Sequence, residues 1–462
     1  MPGVELRNRA SVLSEIQSTP ASAIHLGKRT PGVRFPTVKR PLMLGSIWLC
    51  LALGSLPANG IAPDSPANPL RTGHLLETGQ QVRIVCFGDS VTGVYYHTGN
   101  RRAWCDLVGI ALQRLYPRAR LEMINAGISG NSTADALPRM ADDVLRHRPQ
   151  LVIAMFGLND VTRVSPDDFR ANLRQIVQRS RQVGAEVVLM TPNLVSAGDG
   201  KRPPEKVAAY AQITREVGQE LAVPVTDIFR AFQSVQTTDH RAWLGIMSDS
   251  IHPNLRGHKL LAAEAVRTMT GQRVSLAELP VLQPGLPRVL ARLQAKETVR
   301  IIAMKPYDAL VGPALQKLYP GAQIEVTTWD ATGKSLALIE AQAKALGWAK
   351  FREQPNLTRP DLYVLAVPAD AGAASEDEFF HSYTWIMNWS LSFNPPNWDC
   401  LVILPSVAQP DQDQAQHAAE CLAREVIQGQ DLPWLQRTPG DARPTAELLG
   451  EALGALLEAP KP

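Results

Sequence analysis

The segment VRIVCFGDS, residues 82–90, decides the fold expected of this chain and much of its expected chemistry. Val82–Phe87 is a largely apolar run that ends at Gly88, which is the pattern of a strand buried on both faces of a parallel sheet. Ser90 comes directly after this strand. Open α/β sheets bind ligands at the carboxyl ends of their strands, so Ser90 is a candidate nucleophile.

Strands and helices alternate downstream of Ser90. Trp104 and the apolar residues spaced behind it predict a helix that closes at Pro117, and Ser165 with Pro166 predicts the start of another. Further buried strands are predicted at residues 121–124, 151–156, 187–190 and 223–225. This alternation predicts an α/β domain with a parallel sheet and helices on both faces, over residues 82–275.

Composition limits the classes of function. The chain has 462 residues, of which 45% are hydrophobic and 20% charged, with a net charge of +3. Its length predicts two or three domains. Lysine and arginine form no run dense enough to mark a surface that binds nucleic acid or an anionic membrane, so we expect neither partner.

A short hydrophobic segment near the N-terminus predicts export. Leu42–Leu53 follows Lys39 and Arg40, is too short to cross a bilayer comfortably, and precedes the small residues Ala58 to Gly60. We expect a signal peptide near residues 39–60 within an N-terminal extension of residues 1–60, then a linker over 61–81. An uncleaved membrane anchor and a segment with neither role remain alternatives.

The cysteines indicate neither a metal site nor a redox pair. There are five, and none has the C-x-x-C spacing. Buried free thiols are the default expectation, although export would permit a disulfide.

The second half repeats the pattern of the first. Ala314–Val326 (ALQKLYPGAQIEV) is identical to Ala111–Met123 (ALQRLYPRARLEM) at eight of thirteen positions. We predict a smaller, degenerate α/β domain at 297–462, joined by a proline-bearing connector at 276–296. It has Met304–Tyr307 (MKPY) where the first half has Gly-Asp-Ser, which predicts a structural, interface-forming or ligand-binding domain without catalysis.

Two later segments could activate a serine hydroxyl. His252 is a candidate general base, and Asp249 lies three residues before it, close enough for its carboxylate to reach back and fix the imidazole tautomer. Pro253 predicts a helix start directly after the histidine.

Acyl transfer would also need donors for a developing oxyanion. The side-chain amide of Asn159 and the backbone N–H groups of Gly130 and Ser90 are the candidates. Gly130 follows a strand and has no side chain, so its amide can approach a substrate closely.

These blocks resemble those of the SGNH (GDSL-type) hydrolases over residues 82–272. The matching blocks are Gly88-Asp89-Ser90, Gly130, Gly157-x-Asn159-Asp160 and Asp249-x-x-His252, in the family's order. The resemblance implies a three-layer α/β/α sandwich of flavodoxin-like type, a Ser–His–Asp triad, a three-donor oxyanion hole, and no metal or cofactor. It also implies that Asp89 and Asp160 support loops.

The resulting hypothesis is an exported serine esterase that removes O-acetyl or short acyl groups from carbohydrate. A lysophospholipase or simple-ester hydrolase is the alternative. The loop at residues 94–102 is expected either to line a sugar-sized pocket or to cover the sheet edge.

A polysaccharide-binding or assembly protein is the alternative from another class, with homo-oligomers forming through the C-terminal domain. Aromatic residues crowd residues 383–398, for which core and interface packing and a sugar platform are both open: Tyr383, Trp385, Trp389, Phe393 and Trp398.

Overall fold

The computed structural model describes residues 70–93, 95–196, 200–393 and 397–458, which fold around two hydrophobic cores. The predicted signal peptide, the N-terminal extension, Cys50 and Val94 lie outside the described residues.

The first core surrounds a five-stranded parallel sheet in the order β2-β1-β3-β4-β5. Gly88 at the end of β1 stands level with Gly127 of β2 and Met155 of β3, so the loops after these three strands emerge side by side. The strands are β1 (Gln81–Gly88), β2 (Arg120–Gly127), β3 (Leu151–Met155), β4 (Glu186–Met190) and β5 (Val225–Thr226).

Helices form two further layers around this sheet. The helices are α1 (Arg71–Glu77), α2 (Ser90–Gly93), α3 (Trp104–Leu115), α4 (Thr133–Asp143), α5 (Asp160–Arg163), α6 (Pro166–Gln182), α7 (Pro204–Glu220), α8 (Ile228–Thr238), α9 (His240–Leu244) and α10 (Leu255–Thr270). One set pairs α3 with α10, and the other packs α4, α6 and α7 in sequence. The α/β class with a parallel sheet, predicted from the sequence, is confirmed.

The predicted helix starts are partly correct. Ser165 caps α6 through its side chain, which accepts from the Asp168 N–H, and Pro166 is the first helical residue. The helix after His252 begins at Leu255 and not at Pro253, because Asn254 is the capping residue. Pro253 instead forms an isolated β-bridge with Met247.

Two predicted linkers contain structure. Helix α1 and the first residue of β1 fall within the predicted linker 61–81. The connector 276–296 contains helix α11 (Pro287–Gln294), whose Val289, Leu290 and Leu293 are buried in the second core. An apolar stripe at this spacing needs a surface to cover it, which the connector prediction overlooked.

The second core surrounds another five-stranded parallel sheet, in the order β7-β6-β8-β9-β10. Its strands are β6 (Val299–Met304), β7 (Ile324–Trp329), β8 (Leu362–Leu365), β9 (Asp399–Ile403) and β10 (Trp434–Leu435). Its helices are α12 (Val311–Leu318), α13 (Leu336–Leu346), α14 (Trp348–Glu353), α15 (Glu376–Ser390), α16 (Gln414–Ile427) and α17 (Thr445–Leu457).

The two halves share a strand order. Counted from the first strand of each half, both sheets run 2-1-3-4-5. The helix pairs also correspond, since α12 packs on α17 as α3 packs on α10, and α13, α15 and α16 pack in sequence as α4, α6 and α7 do. This correspondence supports the predicted duplication, which stays a prediction.

The segment after α2 joins the two halves. The Arg102 guanidinium forms a bidentate ion pair with Asp431 of the second half, at 2.6 and 2.7 Å, and both side chains are buried. Beside it, the Asp431 N–H donates to the Thr98 carbonyl at 3.1 Å.

The described residues bear on the expectations about free thiols and about membrane spans. Cys86, Cys105 and Cys400 are buried free thiols, and Cys421 is free and half-buried. Among the described helices, none combines the length and the apolar character that a membrane span requires.

Replacing Asp431 with alanine should destabilise the protein strongly. The change leaves the buried Arg102 guanidinium without its counter-ion, which typically costs about 3–5 kcal/mol of unfolding free energy. Chemical denaturation of Asp431→Ala against the parent measures the loss. Glu451→Ala breaks an exposed pair with Arg443 and is the control, for which a much smaller change is expected. Equal effects of the two substitutions would contradict this assignment.

Candidate active site

Ser90 lies at the carboxyl edge of the first sheet, as the first residue of α2. The turn after β1 is tight because it packs closely against the end of β2. A Cβ added to Gly93 would lie 2.2 Å from the Gly127 carbonyl oxygen. No side chain fits there, so α2 is held against the end of β2. The serine is largely buried, with 9% of its surface exposed.

His252 and Asp249 meet Ser90 from a distant part of the chain. The Ser90 Oγ lies 2.9 Å from His252 Nε2, and His252 Nδ1 lies 2.8 Å from Asp249 Oδ2. Asp249 Oδ1 also accepts the backbone N–H groups of Ile251 and His252, at 2.8 and 2.6 Å. The carboxylate therefore holds the imidazole by both its ring and its backbone.

The charges of this pair stabilise each other. Burial acts to lower the pKa of His252, but the charge of Asp249 and the hydrogen bond to it outweigh burial and raise the pKa above its usual value. Burial acts to raise the pKa of Asp249, but the His252 and His97 rings and the hydrogen bonds from His252 lower it well below its usual range. Asp249 is consequently an anion at any pH where His252 can titrate.

The two other candidate donors occupy the loops after β2 and β3. Gly130 has a φ of +78°, which favours glycine, and a Cβ added there would meet nothing within 4 Å. The Asn159 Nδ2 donates to the Asn131 carbonyl next to Gly130 at 3.0 Å. The structure thus joins the Gly130 and Asn159 loops at the edge where Ser90 lies, and an amide has a second N–H left for a ligand.

Arg202 orients the Asn159 amide and was missed by sequence reasoning. Its guanidinium donates to the Leu158 carbonyl at 2.8 Å and to Asn159 Oδ1 at 3.1 Å. Because the amide oxygen is held by an arginine, the Nδ2 group must face the opposite direction. Arg202 belongs to the segment before α7, and no motif in the sequence marks it.

Asp160 supports the loops, as the family resemblance implied. It accepts from the backbone N–H groups of Thr133 and Gly157, at 2.8 and 3.2 Å, and so ties the start of α4 to the end of β3. Burial raises its pKa against those hydrogen bonds. The Asp89 carboxylate accepts the Val91 N–H at 3.0 Å, and burial raises its pKa to about 7.

A second histidine, His97, lies against His252, and no sequence motif assigns it a role. His97 is 1% exposed, and its ring stacks on that of His252 with centroids 4.1 Å apart and an interplanar angle of 18°. Its Nδ1 lies 2.9 Å from the Ser248 Oγ, and its Nε2 lies 3.8 Å from Asp249 Oδ2. Its position in the aromatic and polar segment after Ser90 was the only available signal.

The described part of the loop at residues 94–102 mainly contacts the second half and the connector. Asn100 donates to the Ser392 carbonyl at 2.6 Å, and Arg101 donates to carbonyls of the connector, including that of Pro284 at 2.8 Å. Most of the loop is buried. Its polar groups are therefore engaged with protein, which favours the covering role over a polar pocket wall.

The aromatic residues at 383–398 divide into two groups. Tyr383 and Trp398 are core residues. Trp385, Trp389 and Phe393 are at least partly exposed, and with Trp348 they form a continuous set of ring contacts that reaches Tyr96 beside His97. Packing accounts for the first group, while the second forms an aromatic surface next to the site.

His97, Asp249 and His252 are the described groups that could in principle hold a metal, because one ligand atom from each lies within 4.8 Å of the others. A metal binds in the plane of an imidazole ring. The two rings here are nearly parallel and stacked, so an ion in the plane of one lies off the plane of the other. The arrangement fits proton transfer better than metal ligation.

Comparisons with known proteins agree with this geometry. The GDSL-like Lipase/Acylhydrolase family matches residues 86–260. An acetylxylan esterase of Geobacillus stearothermophilus is 30% identical over 172 residues, which are 35% of this chain and 77% of that protein. The uncharacterized lipoprotein YqeF of Bacillus subtilis (strain 168) is 32% identical over 178 residues, with 32% and 71% covered.

A third relative is named for different activities. Thioesterase 1/protease 1/lysophospholipase L1 of Escherichia coli (strain K12) is 28% identical over 180 residues, which are 39% of this chain and 79% of the relative. All three alignments cover most of the relative and well under half of this chain. The family match likewise ends at residue 260, and the second half lies outside it.

The Ser90 turn, the loop of Asp249 and His252, and the family match lead to one conclusion: this chain belongs to the GDSL-like lipase/acylhydrolase (SGNH) family and is a carboxylic ester hydrolase.

Proposed function

We propose that the chain is an exported serine esterase that removes O-acetyl or short acyl groups from a carbohydrate, with Ser90, His252 and Asp249 as its catalytic triad. The observation that carries the proposal is the pair of contacts at 2.9 and 2.8 Å linking Ser90 to His252 and His252 to Asp249. A hydroxyl, an imidazole and a carboxylate in this order are what acyl transfer to serine requires.

The reaction follows from these positions. The Ser90 Oγ attacks the ester carbonyl carbon while His252 Nε2 takes the hydroxyl proton, and the carbonyl oxygen becomes an oxyanion. The Asn159 amide and the backbone N–H groups of Gly130 and Ser90 are the proposed donors to that oxyanion. When the tetrahedral intermediate collapses, His252 gives its proton to the departing alcohol.

Water completes the cycle on the resulting acyl-enzyme. His252 now removes a proton from the water, whose oxygen attacks the acyl carbon, and the second tetrahedral intermediate expels the Ser90 oxygen. The acid leaves and Ser90 recovers its proton from His252. Asp249 stays ionised throughout and stabilises the imidazolium of each step.

Two observations support a carbohydrate ester and export. The acetylxylan esterase relative is 30% identical over 35% of this chain, and the sequence of the first half contains no long apolar, lid-like stretch for a long acyl chain. The N-terminal hydrophobic segment has signal-peptide character, and one relative is a lipoprotein. Lysophospholipid or thioester hydrolysis is the second candidate, favoured by the Escherichia coli relative.

Substrate choice separates these candidates. Purified protein should hydrolyse acetylated xylo-oligosaccharides and p-nitrophenyl acetate faster than p-nitrophenyl palmitate or a lysophospholipid. Preference for the long acyl chain would instead establish the lipid alternative. A polysaccharide-binding or assembly role predicts tight pull-down on insoluble polysaccharide, or a stable oligomer by light scattering, with no ester hydrolysis.

Ser90→Ala should abolish turnover of p-nitrophenyl acetate, because no other described hydroxyl contacts His252 Nε2. The fold should persist, which circular dichroism can check. Ser180→Ala removes a buried serine hydroxyl within α6, remote from the site, and is the matched control. Undiminished turnover by Ser90→Ala would remove this serine from the mechanism.

Asn159→Ala should lower kcat about 100- to 1000-fold if its amide stabilises the oxyanion. Asn172→Ala is the control, since Asn172 donates to Thr133 on α4 and contacts none of the proposed donors. Steady-state kinetics on a short acyl ester measure both variants. A loss of less than about threefold for Asn159→Ala would argue against the donor role.

Activity should rise with pH through the pKa of His252, because only the neutral imidazole can accept the serine proton. Asp249 raises that pKa, so the midpoint of kcat/KM should lie above the ordinary histidine value of about 6.5. Steady-state kinetics on a short acyl ester over a pH series measure this midpoint. A flat profile between about pH 5 and 8 is incompatible with a histidine base.

A further inference from the structure

A buried polar side chain of the second half contacts Ser248, the residue before Asp249. Asn388 of α15 donates its Nδ2 to the Ser248 Oγ at 2.8 Å. Gln430 donates its Nε2 to the Asn388 Oδ1 at 2.8 Å. All three side chains are buried, with 0–4% of each residue exposed. Because Gln430 fixes the Asn388 oxygen, the Asn388 amide nitrogen is fixed toward Ser248.

Ser248 passes this orientation to His97. Its Oγ accepts from Asn388 and keeps its own proton, and the His97 Nδ1 at 2.9 Å is the acceptor within reach. Nδ1 as acceptor puts the ring proton of His97 on Nε2. Burial lowers the pKa of His97 well below its usual value, with the charge of His252 adding to the effect, so the ring is neutral.

The protonated Nε2 of His97 is close to the proposed catalytic carboxylate. It lies 3.8 Å from Asp249 Oδ2, the oxygen that also accepts from His252. Nε2 is buried and has no hydrogen-bond partner among the described residues. A buried N–H without a full partner is costly, so its proximity to an anion matters. At the same time the ring covers one face of His252.

We propose that the second half is a working part of the active site: Asn388 and Gln430 hold Ser248, and through it His97, as positioning residues for His252 and Asp249. The proposal rests on the triad assigned above. It gives the half that lacks its own catalytic residues a defined chemical role, which is to fix the rotamer and tautomer of a ring behind the triad.

We call the chain of contacts from Gln430 through Asn388 and Ser248 to His97 the relay. Substitutions along this relay test the proposal in the full-length protein. Asn388→Ala should lower kcat on p-nitrophenyl acetate about tenfold, equivalent to about 1.4 kcal/mol of transition-state stabilisation. KM should stay within about twofold, because the relay contacts no substrate. Ser390→Ala, two residues further on α15, removes a buried hydroxyl that donates to the Ile386 carbonyl of its own helix, and it should change neither constant.

A double-mutant cycle tests the route. If Asn388 acts through Ser248, the variant Ser248→Ala/Asn388→Ala should be no slower than Ser248→Ala alone. Multiplied effects, a wild-type kcat for Asn388→Ala, or an equal loss in Ser390→Ala would each overturn the proposal. Thermal unfolding followed by circular dichroism identifies any variant that loses activity because it is unstable. If one of the single variants Ser248→Ala and Asn388→Ala is unstable, the other decides.

A pH profile separates positioning from packing. His97→Phe keeps an aromatic ring against His252 but removes the polar Nε2–H group that lies 3.8 Å from Asp249 Oδ2. The acid limb of kcat/KM should then move to higher pH, while the other charged groups facing His252, which are Asp89 and Arg202, and the neutral His258 stay in place. An unmoved limb with unchanged kcat means that His97 only packs, and overturns the proposal.

The outcomes also distinguish this inference from the proposed function. Loss of activity in Ser90→Ala together with an unaffected Asn388→Ala would leave the triad standing and remove the relay. Full activity in Ser90→Ala would remove both.

Discussion

The Asp249 carboxylate is the group on which the site depends. One oxygen fixes the backbone of the histidine loop through two N–H groups, and the other holds the His252 ring. A partly buried carboxylate is stabilised as an anion by donors that surround it in this way. Its charge in turn keeps the imidazole basic, so the geometry of the loop and the proton affinity of its base have one source.

The sheet register provides the other constraint. Parallel strands end at the same edge, and the level of Gly88, Gly127 and Met155 places the loops after β1, β2 and β3 beside one another. Serine, glycine and asparagine blocks that are separated by tens of residues thereby reach one place. Asp160 and Arg202 then join those loops, so the site is a property of the sheet edge and not of any one motif.

Much of this was accessible from the sequence because the responsible patterns are local. Buried strand runs, the Ser165 cap and the spacing of Asp249 and His252 each predict a contact or an element within a few residues. His97, Arg202, Ser248 and Asn388 were not predicted, since their importance arises from tertiary packing between segments up to 151 residues apart. The start of α10 was misplaced because Asn254 is a strong N-cap and makes Leu255 the first helical residue, whereas a start at Pro253 would have left His252 as the cap.

The Arg102–Asp431 pair has a consequence for how this chain could change over evolutionary time. Within the full-length chain, either residue changed alone leaves the other charge buried and unpaired. Arg102 and Asp431 can therefore be replaced only together, which links substitutions at two positions far apart in the sequence. The constraint lasts only while the second half covers the pair, because a guanidinium exposed to water needs no counter-ion.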